Sequence, residues 1–315
     1  MTEPITADET TGAAGALMAA DDTRNEATSL WADAWRELRR KPFFWISLAL
    51  ILLFVVMAAF PQIFTSVDPY HADLAHAREK PSAKAIFGFD GQGYDVYART
   101  IYGARSSILV GIFATLFTTL LGSVIGIVAG FFGGWADALL SRIGDMFFAI
   151  PLLLGGILIL YTFPSDLNTP YLLVVGKVVL ALGILGWPSI ARLMRSSVLQ
   201  VKPNDYVQAA RALGASPSRI IMSHILPNSL APVIVVATIN LGAYIAAEAT
   251  LSFLGIGLQP PAISWGLAIS EASGIGLIRA APHMLLFPSL FLSATVLAFI
   301  MLGDAVRDAL DPKLR

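Results

Sequence analysis

Residues 204–232 read Asn-Asp-Tyr-Val-Gln-Ala-Ala-Arg-Ala-Leu-Gly-Ala-Ser-Pro-Ser-Arg-Ile-Ile-Met-Ser-His-Ile-Leu-Pro-Asn-Ser-Leu-Ala-Pro. Their local chemistry describes two short helices joined by a sharp turn. Asp205 followed three residues later by Gln208 has the spacing of a capping box. Gly214 suits the left-handed position that ends a helix. Ser216 is placed to cap a second helix, with Pro217 in its first turn. Pro227 and Pro232 mark the approach to the next apolar run. On the first helix Ala209 and Ala210 are small enough to let another surface approach the backbone, and Tyr206 and Leu213 add anchors. Two readings stay open at this point: a docking knob, or an amphipathic connector.

Long apolar runs lie on both sides. Hydrophobic residues make up 56% of the 315-residue chain and charged ones 14%, against about 25% charged in an average soluble protein. A bilayer, not a soluble core, solvates that much apolar surface. Spans of roughly 20 residues are expected near 43–64, 106–131, 144–163, 170–190, 230–254 and 283–303. The third and fourth are separated by the turn residues of 163–170. The expected fold is therefore all-α, a polytopic bundle of about six transmembrane helices.

Charge sets the orientation. Arg36, Arg39, Arg40 and Lys41 precede the first span, and Arg192, Arg195, Lys202, Arg211 and Arg219 lie between the fourth and fifth. Basic residues at span ends favour the cytoplasm. Six crossings put both groups inside, with both termini. Segments near 65–105 and 255–282 then face outward, and 192–229 forms the main cytoplasmic loop. Residues 1–30 hold six acidic residues and one base, Arg24. They lack the basic start of a signal peptide, so residues 1–35 read as a disordered cytoplasmic tail and 36–315 as the membrane domain.

Several function classes fall away. The net charge of −1 offers no basic face for nucleic acid. With no cysteine there is no thiolate site. His71, His76, His224 and His283 have no metalloprotease spacing, and no P-loop is present. Asp304, Arg307 and Asp308 read as one salt-bridged C-terminal helix, not as a carboxylate pair. Glu248, inside the fifth span, faces either a pathway or a structural hydrogen-bond partner. Gly122, Gly126 and Gly130 fall on one face of the second span and permit close helix packing, within the bundle or against a partner. Lys177 interrupts the fourth span and reads as a lipid, snorkelling or solute contact. Asp90 and Asp95 bind an ion or cap a short interfacial helix.

The segment resembles the EAA loop of binding-protein-dependent ABC importer permeases: Glu-Ala-Ala, three residues, Gly, nine residues, Ile-x-Leu-Pro. Here the matching positions are Gln208-Ala209-Ala210, Gly214 and His224-Ile225-Leu226-Pro227. Gln208 stands for the usual Glu. His-Ile-Leu-Pro-Asn, at His224 to Asn228, is usual in the peptide branch. Further stretches resemble the same family. They are Phe87–Asp90 through Tyr102–Arg105 (with Tyr94 where Arg is usual), Gly130–Trp135, Leu251–Gly257 with Gln259–Pro261 and Ser264–Gly266, and Gly303–Pro312. Together they resemble the C-type permease of dipeptide and oligopeptide importers.

That resemblance implies a type I importer permease fold in a prokaryotic plasma (inner) membrane. It implies that Tyr206, Gln208, Ala209, Ala210, Leu213, Gly214 and Pro227 couple to ATPases. The implied partners are a second, B-type permease, two ATPase domains (separate or fused) that bind ATP and Mg, an external peptide-binding protein and membrane lipid. No cofactor is expected in the chain itself. The competing readings are nickel or haem as cargo of the same family, a stand-alone carrier or channel, and a membrane enzyme.

Overall fold

The computed structural model describes residues 30–166 and 168–310. Most of the expected tail, 1–29, and the terminal Asp311–Arg315 lie outside the described residues. Among the described residues five helices are long and apolar enough to cross a membrane, or six if a bent pair counts as one. In lipid every backbone polar group must be satisfied internally, which helices do within one segment.

A short helix α1 (Leu30–Leu38) leads into α2 (Pro42–Ala59), which stops before Pro61. The third element, α3, runs from Val96 to Phe132. It is thus one long helix that begins ten residues before the expected boundary. Asp95 caps it, accepting from Ala98 N at 2.7 Å, and Gly133 ends it at φ +69°. The charged residues that hid its start are neutralised locally, as described below.

The third expected span is broken. It comprises α4 (Gly134–Phe148) and α5 (Leu152–Thr162), which meet at 83°. Pro151 stands at the break, where its missing N–H would interrupt a continuous helix. Next come α6 (Tyr171–Val201), α7 (Asp205–Ala212) and α8 (Pro217–Ile220). A π turn at Ile221–Ile225 connects α8 to α9 (Leu226–Phe253) without interruption. Pro227 and Pro232 therefore lie inside a continuous helical path and do not precede it. The wider π turn absorbs the disruption, and Asn228 Nδ2 donates to His224 O at 2.7 Å. Two short outer helices, α10 (Trp265–Ala272) and α11 (Ile275–Ala280), precede α12 (His283–Leu310).

Sidedness follows from one contact. Lys41, at the start of α2, pairs with Asp308, near the end of α12, at 3.1 Å. Two touching points lie on the same side, so the crossings between them are even in number. Five long helices meet that condition only when the α4–α5 pair supplies the sixth crossing.

The tightest seam joins α3 to α6. A Cβ at Gly122 would meet Trp187 O at 2.8 Å, one at Gly126 Ala191 O at 2.5 Å, and one at Gly130 Arg195 O at 3.1 Å. All three predicted small residues thus face the chain's own helix.

The outer end is closed by a polar network that leaves one buried donor, Arg99 Nε, without a hydrogen-bond partner among the described residues. Asp90 accepts from Gln92 N and Tyr94 N, both at 2.9 Å, and pairs with Arg99 at 2.9 Å. Arg99 also reaches Glu271 of α10 at 3.3 Å and lies 4.5 Å over the Tyr94 ring. Burial pushes the Glu271 carboxyl up, with Arg99 opposing that shift. Trp265 Nε1 donates to Thr100 O at 2.9 Å, and Arg105 Nε to Ala58 O at 2.9 Å. Asp90 therefore serves an ion pair. Asp95 caps the long α3 and not a short interfacial helix.

Candidate docking surface and buried polar groups

At the inner end, the 204–216 segment is a helix, a tight stop and a second start. Asn204 is the N-cap, with extended backbone at φ −63° and ψ 146°. The expected Asp205–Gln208 capping box does not form. Asp205 is already in the first turn, and Gln208 Nε2 donates instead to Lys202 O at 2.9 Å. The stop is a Schellman motif: Ala215 N donates to Ala210 O, Gly214 N to Arg211 O, and Gly214 has φ +79°. Ser216 Oγ accepts from Arg219 N at 3.4 Å and opens α8, with Pro217 in its first turn.

Burial divides α7 into two faces. Val207 is fully buried in a cluster with Phe131, Met194, Val201, Ile220 and Ile225. Tyr206, Ala209 and Leu213 share the opposite face, and Leu213 is 88% exposed. Ala210 is half-buried, and Gln208 and Gly214 are exposed. Tyr206 accepts from Asn204 Nδ2 at 3.0 Å, and its ring lies 6.2 Å from that of His224. Pro227 is exposed in the first turn of α9, on another element. An exposed face of small and apolar side chains on a rigid, buried root is a surface another protein can grip.

Residues that no local spacing singled out supply the root. Lys202 Nζ donates to Phe131 O at 2.7 Å, tying the end of α6 to the end of α3. Arg195 forms a two-pronged pair with Asp137 at 2.5 and 2.6 Å. Nearby, Arg192 bonds Asp145 at 3.1 Å. These pairs fasten α4 to α6 beside a cavity of ≈ 310 Å³. The partners are separated by 47 to 71 residues, so a short-range motif scan cannot find them.

Glu248 lies fully buried within the bundle. Ser107 Oγ donates to its Oε2 at 2.8 Å and Ser252 Oγ to its Oε1 at 2.7 Å. Ser252 Oγ in turn accepts from Leu258 N at 2.9 Å. Both carboxyl oxygens thus join α3 to α9 and the outer loop. Lys177, which interrupts the fourth span, donates to Pro164 O at 2.6 Å and Ser165 Oγ at 3.2 Å.

This arrangement, an even-crossing bundle with an exposed inner helix-turn-helix, is matched by known proteins. The family "Binding-protein-dependent transport system inner membrane component" matches residues 122–315. The chain belongs to that family. Its residues 29–81 match the "N-terminal TM domain of oligopeptide transport permease C", which covers α1, α2 and part of the outer cap.

Full-length relatives agree. The oligopeptide transport system permease protein OppC of Bacillus subtilis is 37% identical over 94% of both chains. The dipeptide transport system permease protein DppC of Alkalihalophilus pseudofirmus is 37% identical over 92% of both. The glutathione transport system permease protein GsiD of Escherichia coli O157:H7 is 37% identical over 90% of this chain and 91% of its own. The MetNI methionine ABC transporter in an inward-facing conformation shares the fold. Its TM-score is 0.53 at 20% identity, covering 67% of this chain and 96% of that one. The chain is accordingly a multi-pass membrane subunit of an ABC importer, with partner subunits and no catalysis of its own.

Proposed function

We propose that this permease forms, with a second B-type permease, the pathway for short peptides delivered by an external binding protein, in a prokaryotic inner membrane. Two partner ATPase domains, binding ATP and Mg, grip the exposed face of α7. The observation that carries the mechanism is the two-faced α7, with Tyr206, Ala209 and Leu213 outward and Val207 locked beneath.

Coupling follows from that geometry. A displacement of α7 moves Lys202 through Gln208, and Lys202 moves the ends of α6 and α3 together. The ATPases would thereby bias the bundle between inward-open and outward-open populations. Peptide as cargo draws on the names of the oligopeptide and dipeptide relatives. Glutathione, named for the GsiD relative, is itself a small peptide and is the second cargo to try.

The test is capture from the native membrane. Wild type is expected to bring down a P-loop ATPase. The Ala209→Arg variant should lose it while still inserting and unfolding at the wild-type temperature. Capture by that variant at the wild-type level would show that α7 is not the dock.

A further inference from the structure

A cavity of ≈ 590 Å³ lies where the end of α5, the loop 163–165, the first turns of α6 and the loop after α9 meet. Ligand sites run to about 300–1,000 Å³. About 36 Å of helix rise separates Lys177 on this cavity from Val201 at the inner end. The cavity is therefore on the outer side, remote from α7. Its mouth is flanked by Tyr161 and Phe163, both well exposed.

Lys177 is a cation in its wall. An ammonium has three N–H donors, and this one spends two, on Pro164 O and Ser165 Oγ. Both acceptors are neutral. The nearby carboxylate, Asp166, is engaged by Thr169 Oγ1 at 2.8 Å and Asn168 N at 3.0 Å, and makes no ion pair with Lys177 among the described residues. The Pro164 carbonyl holds the charge at the cavity wall. Thr169 first, and also the Lys177 charge, hold the Asp166 carboxyl below its usual range, so the two charges interact without an ion pair and Lys177 keeps its third N–H. An ammonium with a spare N–H donor in the wall of a solute-sized space can bind an anionic group by a charge-assisted hydrogen bond.

We infer that this cavity is an outer subsite of the pathway that takes the terminal carboxylate of a short peptide on Lys177, with Tyr161 and Phe163 bordering its side chains. The inference rests on the peptide-permease reading and names a residue contact within it. Phospholipid phosphate has the same anionic chemistry and is separated by the test.

The experiment uses the complete importer in proteoliposomes, with the binding protein saturated by either tri-alanine or tri-alanine amide. Wild type should import the free acid about tenfold faster than the amide, the effect of one charge-assisted hydrogen bond. Lys177→Met should bring the acid down to the amide rate, and Lys177→Arg should keep a preference for the acid. ATPase stimulation by the loaded binding protein reports that each variant is assembled. Equal import of both peptides by wild type overturns the inference, as does a preference that survives Lys177→Met. If uptake instead follows the phosphatidylglycerol content of the vesicles through Lys177, with both peptides alike, lipid is the occupant and the inference falls. Import of neither peptide by assembled wild type refutes the peptide reading itself, a result distinct from the others.

Discussion

The outer cap around Arg99 and the inner helix α7 use their polar and small residues in opposite ways. In the outer cap, charges are consumed by one another: Asp90 and Glu271 hold Arg99, and Trp265 and Arg105 cap carbonyls. At the inner end, α7 buries one side chain and leaves Tyr206, Ala209 and Leu213 uncovered. A surface whose bonds are already made resists rearrangement. A surface rigidly held but unpartnered is available to another protein. Exposure on a fixed root thus separates the proposed docking element from a structural cap, even though both lie in short segments between spans.

Breaking the outer end should cost the most. Arg99→Met leaves the buried Asp90 without its counter-charge, a loss of about 3 kcal/mol. Thermal unfolding of the purified permease reads it, and the inner dock should still capture ATPase in the surviving fraction. At the inner end the two faces of α7 should separate. Val207→Ala opens a cavity in the buried cluster and should destabilise by about 2 kcal/mol. Leu213→Ala should change stability by less than about 0.5 kcal/mol yet weaken ATPase capture. Equal losses of stability from Leu213→Ala and Val207→Ala would show that α7 has no free face.

The smallest effect belongs to the outer loop. His76 stacks on Phe89 at 5.2 Å and bonds Glu79 at 3.0 Å. That hydrogen bond, with the Glu79 charge, raises its pKa above the usual histidine value. The pairing is fully present below the unfolded histidine pKa and is lost as pH rises through the raised folded value. Carbethoxylation, which needs the neutral ring, should show a midpoint above that of free histidine. Glu79→Gln should lower the midpoint.

How much of this was legible depends on range. Six crossings, the stop at Gly214 and the cap at Ser216 are written in neighbouring residues, and hydropathy or turn chemistry finds them. The start of α3 was hidden because Arg99 and Arg105 look hostile to a membrane helix; their partners, Asp90, Glu271 and the α2 carbonyls, neutralise them only in three dimensions. The bend at Pro151 leaves no mark in hydropathy because the flanking residues are uniformly apolar. Spacing alone points Gln208 to a capping box, whereas Asn204 takes the cap and Lys202 O takes the amide. Lys202, Arg195 and Asp137, which hold the inner root together, pair across distances that no local pattern encodes.

The glycine seam between α3 and α6 limits how this chain can change. At Gly122, Gly126 and Gly130 the obstructing atoms include carbonyl oxygens of Trp187, Ala191 and Arg195. Every residue type carries that oxygen, so no choice of side chain on α6 makes room for one on α3. Repair by a second mutation, the usual route by which packed interfaces drift, is therefore closed along this line. Variation in the protein must be accommodated elsewhere, in its loops and lipid-facing surfaces, while these two helices keep their separation.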